Sequence, residues 1–301
     1  SITVVTVCYN VVNEIEKTIL SVINQTYKNI EYIIIDGGSN DGTLNIINKY
    51  KDSLTVISEP DRGIYDAMNK GLMKANGQWI NFMNAGDTFA SNSVISNIFG
   101  CNESDLIKYD VIYGDCIVCI SLGERYASVK KTFWNDKSIV PSKGFSHQSV
   151  FVRTEIAKLM PFNLKYKICA DFDMMFRLYK TGHNFLYKNF AIAKYEVENG
   201  FSKKHAALAL KENAMIIEEI LKQRYDGMKN EKGEDVSPVF PKLVYVLYEH
   251  NCLKGGKYDY ITKLATKCIQ KRLQPSCISA KKMRENYDGN VFSPMGSSNF
   301  L

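Results

Sequence analysis

The chain has 301 residues, 45% hydrophobic and 23% charged, an ordinary globular composition with ample length for a large core. Its net charge of +6 is local: residues 203–301 hold 17 Lys+Arg against 11 Asp+Glu, while residues 1–202 carry equal numbers of each sign. No apolar run approaches the roughly 18 residues that span a bilayer, no secretory leader precedes Ile2, and eight scattered cysteines read as reduced thiols, so a cytosolic protein is expected.

Ile2–Val7 is β-branched and apolar and reads as a buried first strand. From Asn13 to Gln25, Ile15, Ile19, Val22 and Ile23 recur at helical spacing, with Glu14 and Glu16 in the first turn, where the helix dipole favours them. Strand Glu31–Ile35 leads into a turn-rich stretch from Asp36 to Thr43. A helix follows over Leu44–Tyr50, a strand over Leu54–Ser58, a helix over Ile64–Ala75 and a strand from Gln78. Such alternation with short connections predicts a parallel sheet with right-handed crossovers. Later come a short helix at Val94–Phe99 and strands at Val111–Tyr113, Ile117–Ile120, Arg125–Thr132, Gln148–Arg153 and Ile192–Val197, with a helix at Asp171–Lys180. Cys116 and Cys119 have metal-knuckle spacing but no second pair, and read as buried structural thiols. Residues 203–301 read as a basic helical extension. Leu210, Ala214, Ile217 and Leu221 form one face and Ile261, Leu264, Ala265 and Cys268 another, with a linker at Asp226–Pro238 and an aperiodic tail from Asn286.

Two strand ends carry carboxylates. Ligands of an alternating sheet bind beyond the carboxyl ends of its strands, which puts Asp36 and Asp87 at one crevice mouth. Asp87 closes the small, polar run Asn84-Ala85-Gly86-Asp87. A lone carboxylate there suits a divalent cation with positions left open for phosphate oxygens; an ordinary turn is the plain alternative. Asp36 has acceptors for the imide and ribose donors of a nucleotide. The first turn, Cys8–Glu14, lacks G-x-G-x-x-G, which speaks against a dinucleotide site, and no G-x-x-x-x-G-K-[ST] loop is present.

Thr6-Val7-Cys8-Tyr9-Asn10, Ser21–Tyr27, Ile35–Thr43 and Asn84–Asp87 together resemble a family 2 glycosyltransferase of the GT-A fold over residues 1–202, and Glu59–Gly71 resembles bacterial members that build surface polysaccharides of O-antigen or capsule type. The resemblance implies a nucleotide-sugar half over 1–100 and an acceptor half over 101–202. It places Thr6, Tyr9, Glu14 and Asp36 around the nucleobase and ribose, and Arg62, Asp66 and Asn84 along the nucleotide and donor sugar. Asp87 matches the last carboxylate of the acidic metal motif, for Mn2+ or Mg2+; Asn84 and Gly86 stand at positions often acidic, so the cation must lean on the donor's diphosphate. Asp171, at a helix start with Asp173, matches the general base, helix capping being the other reading of both. His147 precedes a strand and is implied to bind diphosphate, acceptor or cation, a structural role remaining open. Gly200-Phe201-Ser202 matches a closing segment. The implied partners are a UDP-sugar and an oligosaccharide or lipid-linked acceptor, with no nucleic acid. Lys263, Lys267 and Lys271, beside the Ile261 face, could hold the chain peripherally on an anionic inner membrane leaflet. A nucleotidyltransferase and an inactive sugar- or nucleotide-binding subunit are the rival readings.

Overall fold

The computed structural model describes residues 1–100, 103–120, 123–127, 146–196 and 205–225. Ser1–Ile217 form one compact unit and Glu218–Leu301 a second.

Strand β1 (Ile2–Cys8) is buried along its whole length, as a β-branched run with partners on both edges and helices on its faces should be. It pairs in parallel with β2 (Ile30–Asp36) and β4 (Trp79–Phe82), and β2 pairs in parallel with β3 (Thr55–Ser58). Helices α1 (Ile15–Ile23), α2 (Thr43–Asn48) and α3 (Ile64–Lys74) make the crossovers. Buried Ile15, Ile19 and Val22 form the inner face of α1. Helix α3 sits close against the sheet because Gly71 has no side chain: a Cβ there would stand 2.4 Å from Val5 Cγ1.

Beyond β4 the sheet becomes mixed, in the order β3-β2-β1-β4-β8-β6-β9-β5, with β7 on β6. Strand β8 (Val150–Arg153) runs antiparallel to both β4 and β6 (Val111–Ile120). Strand β9 (Phe185–Glu196) is parallel to β6 and antiparallel to β5 (Thr88–Phe89), and β7 (Gly123–Ala127) is antiparallel to β6. Phe89, Phe99 and Phe151 interlock below this half, Phe99 edge-on to Phe151 at 5.2 Å. The remaining α-helices among the described residues are α4 (Val94–Phe99), α5 (Thr154–Leu159), α6 (Ala170–Lys180) and α7 (Ala206–Tyr225).

Several boundaries differ from the sequence reading. The two strands expected at 111–113 and 117–120 are one continuous strand; the small and polar pair Gly114–Asp115, which looked like a break, lies where extra residues of β9 shift the pairing register. Strand β9 starts at Phe185, not Ile192, because pairing with β6 carries it through Lys188 and Asn189. The strand expected from Gln148 begins at Val150, and His147–Ser149 form a 3-10 turn. Helix α5 and the two-residue β5 were not anticipated; both are too short to show a period. Cys116 is buried and Cys119 half-buried, both free thiols. The end of the strand expected to reach Thr132, Gly200–Ser202, the linker, the Ile261 face with Lys263, Lys267 and Lys271, and the tail lie outside the described residues. So do the side chains of Leu210, Ala214, Ile217 and Leu221; on α7 the buried side chains among those described are Ala209, Glu212, Asn213 and Ile216.

Candidate active site

Parallel pairing brings Cys8, Asp36 and Ser58 into register at one edge of the sheet. The loops leaving β1, β2, β3 and β4 therefore meet there. The second loop pins the first: Asn10 N donates to Ser39 Oγ (2.8 Å), Val11 N to Thr43 Oγ1 (2.9 Å) and Val12 N to Asp41 Oδ2 (3.0 Å). Three successive amides of the first turn are thus spent within the protein, the structural counterpart of its missing glycines. They cannot cradle a phosphate.

Asp36 is fully buried and accepts from five donors: Cys8 Sγ, Gly38 N, Ser39 N, Ser39 Oγ and Ser58 Oγ. Burial pushes its carboxyl up, but the bonds from Ser39, Ser58 and Gly38 outweigh that and hold it below the usual value. Thr6 is also fully buried; its hydroxyl donates to Met83 O (2.7 Å) and lies 3.0 Å from Tyr32 Oη. It ties the exit of β4 to the sheet from beneath. Tyr9 is the open member of the set, with 60% of its surface exposed. Beside it lies Asp61, which sequence reasoning passed over. Its Oδ1 accepts from Gly63 N, and its Oδ2 lies 2.5 Å from where a Gly37 Cβ would stand, with the Tyr9 ring 3.4 Å from the same point. Arg62 is 79% exposed, and its guanidinium pairs with Asp66 Oδ1 at 2.9 Å. The Arg62 bonds hold the Asp66 carboxyl below its ordinary value.

The loop from β4 is set by Thr18 of α1, which receives Gly86 N at 3.0 Å and donates to Asp87 O at 2.7 Å. Gly86 has φ +98°, a left-handed conformation natural to glycine, and the Glu14 carboxylate stands over it, Oε2 being 2.5 Å from the position of a Cβ. An acidic side chain is therefore close to position 86 although none grows from it. Asp87 Oδ2 accepts from Gln148 Nε2 at 2.6 Å. Burial pushes the Asp87 carboxyl up to about 6, against the lowering effect of Gln148. At neutral pH it is mostly ionised in a site that disfavours its charge.

Asp171 Oδ1 lies 2.9 Å from Tyr65 Oη and accepts from Phe172 N at 2.9 Å, while Oδ2 lies 3.4 Å from His147 Nδ1. With the proton on Nδ1, Nε2 accepts from Asn84 Nδ2 at 2.9 Å. Burial raises the Asp171 carboxyl, but His147, Tyr65 and Phe172 overcome this and leave it below its ordinary value. Consecutive side chains of one 3-10 turn thus reach both acids, His147 to Asp171 and Gln148 to Asp87. Asp173 lies about 200° around the helix from Asp171. It is buried, takes Arg177 Nε at 2.8 Å, and Arg177 in turn holds Pro161 O. Tyr65 and Gln148 were not singled out from sequence; the Tyr65-Asp66 pair within Glu59–Gly71 was the available signal for the first.

The residues fit a hard divalent cation in one respect: Asn84 Oδ1 and Gln148 Oε1 are buried oxygens without a hydrogen-bond partner, and Gln148 lies against Asp87. Among the described residues no three His, Cys, Asp or Glu side chains gather as a metal site. A cation held here would need oxygens from the substrate as well.

A family model, Glycosyl transferase family 2, matches residues 3–195. The chain belongs to glycosyl transferase family 2. It is a glycosyltransferase, and its curled mixed α/β sheet is the GT-A fold. A PGL/p-HBAD biosynthesis glycosyltransferase of Mycobacterium bovis is 29% identical over 191 residues, covering 60% of this chain and 71% of that protein. Staphylococcus aureus TarS, solved with UDP-GlcNAc, has a TM-score of 0.57 and 16% identity over 82% of this chain and 79% of its own. The mannosyltransferase PcManGT of Pyrobaculum calidifontis, solved with GDP-Man and Mn2+, has a TM-score of 0.55 and 14% identity over 89% and 79%. These two similarities are of fold. A second family model, Anaerobic ribonucleoside-triphosphate reductase, matches residues 147–301. Where the two models overlap, β8, α5, α6 and β9 are parts of the glycosyltransferase's own unit. Among the described residues no helix is long and apolar enough to cross a membrane.

Proposed function

We propose that this family 2 glycosyltransferase moves a sugar, with inversion and with a divalent cation, from a UDP-sugar to a hydroxyl of an oligosaccharide or lipid-linked acceptor in the assembly of a bacterial surface glycan. The observation that carries the reading is the turn at His147–Gln148, whose consecutive side chains hold Asp171, an acid kept below its ordinary pKa, and Asp87, an acid pushed above it. The acceptor hydroxyl attacks the anomeric carbon, its proton passes to Asp171, and the bond from that carbon to the diphosphate oxygen breaks on the opposite face. A carboxylate held below its ordinary pKa is a weak base, so the proton leaves as the new bond forms. Asp87, with Asn84 or Gln148 as oxygen donors, would hold Mn2+ or Mg2+, which when bound would neutralise charge on the departing diphosphate. Arg62, exposed and held by Asp66, offers a guanidinium to the nucleotide's phosphates, and Tyr9 offers a face for the base. The UDP-GlcNAc and GDP-Man bound by the structural neighbours support a nucleotide-sugar donor, and the PGL/p-HBAD relative supports a glycan-building role.

Residues 1–202 are proposed as the catalytic domain and 203–301 as a basic extension that approaches an anionic membrane. Asp171→Asn keeps the shape and the hydrogen bonds to Phe172 N and Tyr65 but removes the base. Transfer to acceptor should fall by about 10²- to 10⁴-fold with donor affinity unchanged. Release of nucleoside diphosphate from a panel of nucleotide sugars, with and without acceptor, gives the measurement. Transfer by Asp171→Asn at near the wild-type rate would remove the proposed base.

A further inference from the structure

We infer that Glu212, a residue of α7 beyond the stretch matched by the family, is a positioning residue for the catalytic base. The inference rests on the reading of Asp171 as that base. Glu212 is an acid yet only 4% exposed, and among the described residues no salt bridge to a cation accounts for its burial. Its two carboxylate oxygens are instead occupied by backbone. Oε1 accepts from Lys167 N at 2.7 Å, and Oε2 from Ile168 N at 2.8 Å and Cys169 N at 3.0 Å. These are the three residues immediately before α6, and Cys169 is its N-cap, with no side-chain cap of its own. Cys169 N, at the N-cap, is one of the amides a helix start leaves without an intrahelical partner, and an anion there is favoured by the helix dipole. Cys169 Sγ adds a contact to Ala209 O at 3.4 Å, one turn before Glu212 on the same helix.

The clamp leads directly to the base. Asp171 stands two residues past the last clamped amide, in the first turn of α6. Ile168, whose N–H is held by Glu212, presents its carbonyl to Tyr65 Oη at 2.8 Å, and the same hydroxyl lies 2.9 Å from Asp171 Oδ1. Tyr65 is buried and belongs to α3, so the peptide held by Glu212 and the carboxylate of Asp171 share one fixed reference point. Freed from Glu212, the 167–169 backbone would lose the bonds that fix its direction, and Asp171 would swing relative to Tyr65 and His147. A displacement of about 1 Å at a reacting group costs on the order of 10²-fold in rate. The donor-side loops, which Glu212 does not touch, would keep their form. The distinctive consequence is that Glu212 acts through Asp171 and not through the nucleotide.

Glu212→Gln, measured alone and combined with Asp171→Asn, tests this. Glu212→Gln replaces one acceptor oxygen with an amide that faces N–H groups. The expected result is a kcat at least tenfold below wild type, a donor Kd within twofold of wild type by calorimetry, and less than a twofold further loss when Asp171 is already Asn. A folded Glu212→Gln protein with kcat within twofold of wild type would overturn the inference. So would an equal loss in both backgrounds, which would mark Glu212 as a general structural prop. Should Glu212→Gln fail to fold, Glu212→Asp, which keeps the charge but draws it back by one methylene, enters the same cycle with the same criteria. Retention of transfer by Asp171→Asn alone would defeat the assignment of the base, a result distinguishable from any outcome at Glu212.

Discussion

The ends of β2 and β4 are a matched pair with opposite fates. Strand β2 ends on Asp36 itself, and the loop from β4, which stops at Phe82, carries Asp87, so both acids stand beyond the same edge of the sheet. Asp36 is wrapped by five donors and held below its ordinary pKa; Asp87 receives one side-chain bond and is pushed up to about 6 by burial. The difference is one of unfinished solvation. Asp36 has no acceptor capacity turned outward and acts as the internal anchor of its loop. Two residues of Asp87's surroundings carry buried oxygens without partners, Asn84 Oδ1 in the same loop and Oε1 of Gln148, whose amide nitrogen holds Asp87. Leaving such buried oxygens without partners costs stability, and the proposed cation would offset that cost.

The largest effect that would sharpen the contrast is at the incomplete end. Asp87→Ala should lower transfer by about 10³-fold without lowering the melting temperature, followed by nucleoside diphosphate release and thermal melts. A large loss of stability in that variant would make Asp87 another Asp36. At the satisfied end, Asp36→Asn should destabilise the protein by about 2 kcal/mol, because buried donors are left facing an amide that also brings its own. The sign with pH follows from its lowered pKa. Its stabilisation is fully present above 3.8, the ordinary value, and is lost as pH falls through the lower folded value, so acid unfolding of wild type and Asp36→Asn should converge in that range. The smallest effect runs the other way. Asp87 has a raised pKa, so its contribution to stability is present below 3.8 and lost as pH rises through about 6. Donor-free Asp87→Asn should therefore be more stable than wild type at pH 7, on the order of 1 kcal/mol, with the gain gone below pH 3.8.

Both acids were legible as strand ends, since periodicity and turn residues mark them. Their fates were not. Gly38 and Ser39 are local donors to Asp36, but among the side-chain donors Ser58 lies 22 residues from Asp36 and Gln148 lies 61 residues from Asp87. Strand order puts those residues there, and no local pattern encodes it. The same limit applies to Asp171 and Asp173. One turn of helix sequence offers both as caps, and only Tyr65 and His147, 106 and 24 residues from Asp171, separate the acid facing the crevice from the one braced by Arg177. Glu212 shows a different failure. Apolar periodicity on α7 drew attention to Leu210, Ala214, Ile217 and Leu221, while the buried side chains described there include an acid and an amide that pattern reading assigns to solvent. Asp61 was hidden for a related reason: the glycine that makes room for it, Gly37, is 24 positions earlier in the chain.

The central claim is that Asp87 holds the donor's diphosphate through a cation, while Asp36 only shapes the loop beside it. Calorimetric titration of UDP, with and without Mn2+, into wild type, Asp87→Asn and Asp36→Asn tests it most directly, at a temperature where all three are folded. The account predicts that Mn2+ strengthens UDP binding to wild type and Asp36→Asn and leaves Asp87→Asn unaffected. Full Mn2+ dependence in Asp87→Asn, or its loss in Asp36→Asn, would contradict it.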